Sequence, residues 1–283
     1  MNTAKTALLM TLLTVILVLI GSLVGGRSGA LVALILAAVL NFVAYWTSDK
    51  IALAMYRAKP LGPGEAPELE SMVRELAQRA SLPMPRLYLI PNDTPNAFAT
   101  GRNPDHAAVA VTAGAMRLLG REELMGVLAH ELSHVKNRDI LVASIAATIA
   151  GAITMLASWA RWAAIFGGVG GRDRRGGGGL EILAMAIVAP LAAMMIQLAI
   201  SRSREYMADA GAAHLMRNPV PLAQALRKLD AYARKAPLEA NPATAHMFTV
   251  SPLRGGGIAG LFSTHPSTDS RVERLMAMVG RGV

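Results

Sequence analysis

Four long stretches without a charged residue dominate this sequence: Thr6 to Gly26, Ser28 to Ser48, Ile140 to Ala160 and Ile182 to Ser201. At 1.5 Å rise per residue, about 20 helical residues cross a hydrocarbon core of roughly 30 Å. One such run can be the buried core helix of a soluble domain. Four of them in 283 residues, 53% hydrophobic with a mean hydropathy of +0.39, leave too little polar sequence to cover them. The chain is therefore expected to span a membrane four times. Lys5 ahead of the first run suits a signal peptide, but the run is longer than a usual signal core. A second run follows at once across Gly25-Gly26-Arg27-Ser28-Gly29, so residues 1–48 are read as a transmembrane helical hairpin that stays attached.

Four crossings return the chain to its starting side. The polar segments 49–139 and 202–283 then share one compartment, separated by a second membrane pair over 140–201 with a Gly-rich loop at 167–179. Lys5, Lys50, Arg57, Lys59, Lys136, Arg138, Arg202 and Arg204 border one side, against Arg27, Arg161, Arg172, Arg174 and Arg175 on the other, and the excess favours the cytoplasm for the polar segments. The net charge of +9 comes with only 5% aromatics, which suits anionic lipid headgroups of the bilayer and argues against nucleic acid. With no cysteine, any transition metal must be held by His, Asp or Glu.

In the first polar segment, Leu69, Met72, Val73, Leu76 and Ala80 line one face of a helix over 68–80. Three short strands are expected at 86–90, 96–100 and 107–112. A helix from Arg121 is expected to run on towards the third span. Residues 221–234 are read as helical, and 263–279 as starting another helix with Pro266 near its first position.

The chemistry concentrates in "VLAHELSHVKNRD" (127–139). His130 and His134 lie four apart, on one helix face, where two imidazoles can converge on one Zn²⁺. Glu131 projects beside that point and can take a proton from a water and pass it to a leaving amine. A catalytic zinc site needs a third protein ligand, and the helix supplies none: Asn137 and Ile140 stand where an extended motif would place Gly and His. The best-placed donor is Glu205 in "SRSREYMADAG", on the same membrane face, with Asp209 one turn on to accept the N–H of a ligand histidine. The ordinary alternative for Glu205 is an ion pair with Arg202 or Arg204. Glu181 is on the wrong side, and Glu239 and Glu273 lack such a neighbour. His106, His214 and His246 are not read as ligands.

"HELSHVKNRD", "SREYMADAGAA", "NAFATG" and "LFSTHPSTDSRVERL" follow the order seen in HtpX-like membrane metalloproteases, gluzincins related to the CAAX prenyl protease. The resemblance extends over essentially the whole chain. It implies a mainly α integral membrane protein: four transmembrane helices, and a zincin-like α+β catalytic domain with a small three-stranded sheet, formed by the two cytoplasmic segments. It further implies a zinc endopeptidase of the bacterial inner membrane, one Zn²⁺ per chain, its active site facing the cytoplasm. Its substrates would be membrane proteins or unfolded polypeptides, in protein quality control. By this resemblance His130, His134 and Glu205 are the ligands, Glu131 is the general base, and Asp209 supports a ligand histidine. Asn96, Ala97, Phe98 and Ala99 match a strand near the cleft that could pair with an extended substrate. His265 and Arg271 match the late His-Pro and Arg positions and could stabilise the oxyanion; the alternatives are a helix cap and a pairing with Asp269 or Glu273.

Three rivals are weaker. An intramembrane protease would bury His130 in the bilayer, yet Arg121, Glu122, Glu123, Lys136, Arg138 and Asp139 flank it. A CAAX-processing enzyme would be expected to need more spans, and a metal-stabilised scaffold gives Glu131 no purpose.

Overall fold

The computed structural model describes residues 2–145, 202–235, 249 and 266–280. The fourth expected span, most of the third, the Gly-rich loop 167–179 and His265 lie outside the described residues.

The first helical segment, α1 (Asn2–Met55), doubles back on itself. Gly26 takes φ +55, a left-handed conformation that glycine adopts without penalty. Asn41 Nδ2 donates to Thr14 Oγ1 at 2.9 Å and to Met10 O at 3.3 Å. In a straight helix at 1.5 Å per residue, Thr14 and Asn41 would be roughly 40 Å apart. The returning arm, Gly26–Met55, is long and apolar enough to cross a membrane. Its apolar side chains face outwards: Leu31 is 60% exposed, Val32 66% and Phe42 66%.

The polar part is built on a mixed sheet. Its strands are β1 (Lys59–Pro60), β2 (Arg86–Ile90), β3 (Ala97–Thr100) and β4 (Ala108–Thr112), in the order β1-β2-β4-β3. β2 and β4 run parallel; β1 and β3 are antiparallel edges. The sheet has four strands where three are expected. β1 escapes sequence reading because it is only two residues long and contains a proline, which a sheet accepts at an edge.

Alternation along the strands sorts their side chains into two cores. Val109 and Val111 of β4, with Ala97 and Ala99 of β3, face the main core. It also holds Leu69, Met72, Val73 and Leu76 of α2 (Pro67–Ala80) and Leu124, Val127, Leu128, Leu132 and Val135 of α4 (Arg121–Lys136). A short helix, α3 (Ala113–Leu118), joins β4 to α4. On the opposite face, Ala108, Ala110 and Phe98 pack against Ala52 and Leu53 at the end of α1. Both faces are thus covered, so β4 is buried throughout and reads as an unbroken apolar run. Further helices among the described residues are α5 (Arg202–Met216), α6 (Val220–Lys235) and α7 (Thr268–Met276). Leu222, Leu226 and Leu229 of α6, with Val272 and Leu275 of α7, complete the main core. In α7 the N-cap is Ser267, whose hydroxyl accepts from Ser270 N, so Pro266 precedes the cap instead of opening the helix.

The helix carrying the histidines does not run straight on from residue 136. α4 stops at Lys136, Arg138 takes φ +57, and a new helical stretch begins at Ile140. The break releases Asp139 from the helix and turns it back towards His134.

Candidate active site

α4 is buried through its middle, so His130 and Glu131 are only 2% and 6% exposed. The i, i+4 spacing brings the two imidazoles together, His130 Nε2 to His134 Nε2 at 3.2 Å. Glu205 closes the triangle from α5, its Oε2 3.7 Å from His130 Nε2 and its Oε1 3.6 Å from His134 Nε2. The three ligand atoms lie within 4.8 Å of one another. Ligands at 2.0–2.1 Å from one tetrahedral ion would stand about 3.3 Å apart, so the spacing fits a single metal with slight closure of the carboxylate.

The close approach of α4 and α5 depends on Gly211. A Cβ there would meet Ser133 Oγ at 2.6 Å and its Cβ at 3.0 Å. Glycine removes that obstacle and lets Glu205 reach the histidines.

Each imidazole is oriented from behind by a carboxylate. His130 Nδ1 is 2.9 Å from Asp209 Oδ1, one turn beyond Glu205 on α5. His134 Nδ1 is 3.3 Å from Asp139 Oδ2. With Nδ1–H on the carboxylate, each ring presents the lone pair of Nε2 to the shared point. Asp139, not singled out in the sequence, was signalled only by its place five residues after His134, and the helix break is what makes it reach. Arg204 Nη1 also approaches Asp139, at 3.6 Å, so Arg204 is directed at Asp139 and not at Glu205.

Glu131 sits beside the triad and accepts a hydrogen bond from Ala99 N of the edge strand at 3.0 Å. Burial pushes its carboxyl up, against the lowering influence of His130 and His134. Burial would lower the His134 imidazole, but the bond to Asp139 and the charges of Glu205 and Glu131 push it up to about 9. Burial would raise Asp209; the Arg271 charge and the bonds from His130 and Arg271 outweigh it and hold Asp209 at about 2.

Arg271 of α7 is fully buried at the back of the site. Its Nε and Nη2 donate to Asp209 at 2.9 and 2.7 Å, and its Nη1 donates to Thr249 O at 2.7 Å. Thr249 lies along the edge of β3: its N donates to Asn96 Oδ1 at 3.0 Å and its Oγ1 to Ala97 O at 3.1 Å. Of the four residues expected to meet substrate, Asn96, Ala97 and Ala99 present polar groups on this edge. The Phe98 side chain turns to the other face, against Tyr56 at 5.1 Å between ring centres.

Residues 63–279 match Peptidase family M48. The chain belongs to that family. Its M48 relatives match over nearly their whole length. A protease HtpX homolog of Syntrophotalea carbinolica is 60% identical over 279 residues, covering 98% of this chain and 99% of that protein. Homologs of the same name from Desulforapulum autotrophicum and Thermococcus kodakarensis are 57% and 55% identical, covering 97% and 96% of this chain and 89% and 94% of those proteins. The crystal structure of S. mikatae Ste24p superposes with a TM-score of 0.51 at 19% identity, covering 93% of this chain and 61% of that one, so the chain spans about three fifths of that protein and shares its fold. As an M48 member of HtpX type, the chain is a membrane metalloprotease that hydrolyses peptide bonds.

Proposed function

We propose that the metal is zinc, one ion per chain, held by His130, His134 and Glu205. The observation that carries this reading is the convergence of those three side chains, with Glu131 beside them and a carboxylate behind each imidazole. Two nitrogens and one carboxylate oxygen are the donor set of catalytic zinc sites that keep a position open. When bound, zinc supplies a Lewis acid that polarises a peptide carbonyl and acidifies a water.

The chain's own residues do the rest. Glu131 takes a proton from the attacking water and delivers it to the leaving amine; burial, by raising its carboxyl, suits it to both steps. Ala99 N–H holds one oxygen of that carboxylate at 3.0 Å. Asp209 and Asp139 fix the rings of His130 and His134. The outward main-chain N–H of Ala97 and carbonyl of Ala99 on β3 receive an extended substrate beside Thr249. Asn96 flanks that edge, and Phe98 anchors the strand from behind. Arg271, whose donors already serve Asp209 and Thr249, is a positioning residue; the oxyanion donor would be His265.

The chain acts at the cytoplasmic surface of a bacterial inner membrane, on membrane proteins and unfolded polypeptides, in quality control. The exposed apolar arm of α1, packed beneath the catalytic sheet, supports that placement. The test is metal content and casein cleavage of purified wild type beside Glu205→Ala. Loss of both is expected; full zinc occupancy in the variant would remove Glu205 from the site.

A further inference from the structure

A cavity of about 540 Å³ opens where the returning arm of α1 meets the catalytic sheet. It is separate in its lining from the metal site, and within the size range of small-ligand sites. Phe42, Tyr45 and Trp46 form an aromatic cluster at this end of the arm, with Tyr45 and Trp46 in edge contact at 5.5 Å. Such clusters mark the headgroup level of a bilayer.

Of the cations lining the cavity, Arg102 is held in a fixed pose. The Arg102 guanidinium stacks over the Trp46 ring at 4.5 Å. Its Nη2 donates to His106 Nε2 at 2.7 Å, and His106 Nδ1 in turn donates to Asn103 Oδ1 at 2.7 Å. The loop bearing both residues starts at Gly101, φ +138, where a Cβ would meet His106 O at 2.4 Å. Only glycine allows this fold of the loop, which locks Arg102 against Trp46. Of the acids in the lining, Asp49 is engaged by Arg86 at 2.8 Å, and Asp105 is exposed at the rim. Lys50 and Arg102 are left without a bonded carboxylate among the described residues.

We propose that this cavity binds the phosphate ester of an anionic phospholipid headgroup from the surrounding leaflet. The planar Arg102 fork and the Lys50 ammonium together suit a phosphate, and Trp46 sets the depth. Free phosphate esters share that chemistry, but the position at the end of an apolar arm selects the lipid. The proposal rests on the membrane reading above and is independent of the catalytic one.

The test uses the full chain in phosphatidylcholine nanodiscs containing increasing phosphatidylglycerol, with Trp159→Phe and Trp162→Phe so that emission reports Trp46 alone. Saturable change with phosphatidylglycerol is expected. Arg102→Gln and Lys50→Gln should each need roughly fivefold more anionic lipid, the usual effect of one basic residue at a charged leaflet. If Arg102→Gln fails to fold, Lys50→Gln, at an exposed position, carries the test. Three results overturn the proposal: no saturation, a variant matching wild type, or an equal half-point with glycerol phosphate in neutral discs. Flotation of the same samples with vesicles checks the membrane reading separately.

Discussion

Arg271 grips Asp209 with two parallel hydrogen bonds, Nε to Oδ2 at 2.9 Å and Nη2 to Oδ1 at 2.7 Å. The same carboxylate stands 2.9 Å from the ring of His130. One guanidinium therefore ties α7 to α5 and, through Asp209, to the first histidine of α4. Removing one partner of a buried, hydrogen-bonded pair costs about 3–5 kcal/mol. Arg271→Ala is expected to lower the thermal midpoint by roughly 10 °C for a chain of this size and to reduce bound zinc, read by calorimetry and metal analysis. An unchanged midpoint would show that the clamp contributes no stability.

Glu131→Gln should keep the fold and the metal, because the amide oxygen can still accept from Ala99 N. Peptide hydrolysis should fall by about 10²–10⁴, the usual worth of a general base. Casein cleavage at the wild-type rate would remove Glu131 from the chemistry.

Asp209 gives stability a defined acid limit. Its folded value, about 2, lies below its ordinary 3.8, so the charged form favours the folded state. That contribution, on the order of 2 kcal/mol, is complete above about pH 4 and is lost as pH falls through about 2. In metal-free protein, Asp209→Asn should lower stability at neutral pH and flatten the acid limb of the profile. A pH-unfolding series on both proteins checks this; parallel curves would contradict it.

Asp139→Asn tests the helix break. The amide is a weaker partner for His134 Nδ1, so in metal-free protein the imidazole should titrate below about 9, and zinc affinity should drop by roughly 10–100-fold. Competition with a chelator measures the affinity, and NMR of the ring protons follows the titration.

Gly211→Ala should separate α5 from α4 and weaken metal binding by roughly tenfold, as small displacements of supporting residues do. Ser133→Gly in the same chain removes the obstructing hydroxymethyl group and should restore most of the loss. Absence of rescue would mean that the contact at 2.6 Å does not set the helix spacing.

Much of this was legible in the sequence where a local period or a motif carried it. The spacing of His130 and His134 dictates a shared helix face, and the apolar positions of α2 and α4 recur at helical intervals. Glu205 and Asp209 followed from chain direction and from their own i, i+4 spacing. The break after Lys136 was hidden because Asn137 and Arg138 are neither glycine nor proline, and a left-handed arginine leaves no mark in composition. Asp139 was hidden with it. The pairing of Arg271 with Asp209 joins residues 62 positions apart, and no local pattern reports such a contact. The orientation of Phe98 depended on which face of the sheet α1 would cover.

The order of the site residues along the chain sets a delay during synthesis. Both histidines and Glu131 leave the ribosome well before Glu205, and Arg271 follows later again. At about 5–20 residues per second, the interval from His134 to Arg271 is on the order of 10 s. For about the first half of it the growing polypeptide lacks Glu205, and throughout it lacks the clamp that Arg271 sets behind Asp209. The pocket behind His130 is thus completed only when α7 has docked on α5.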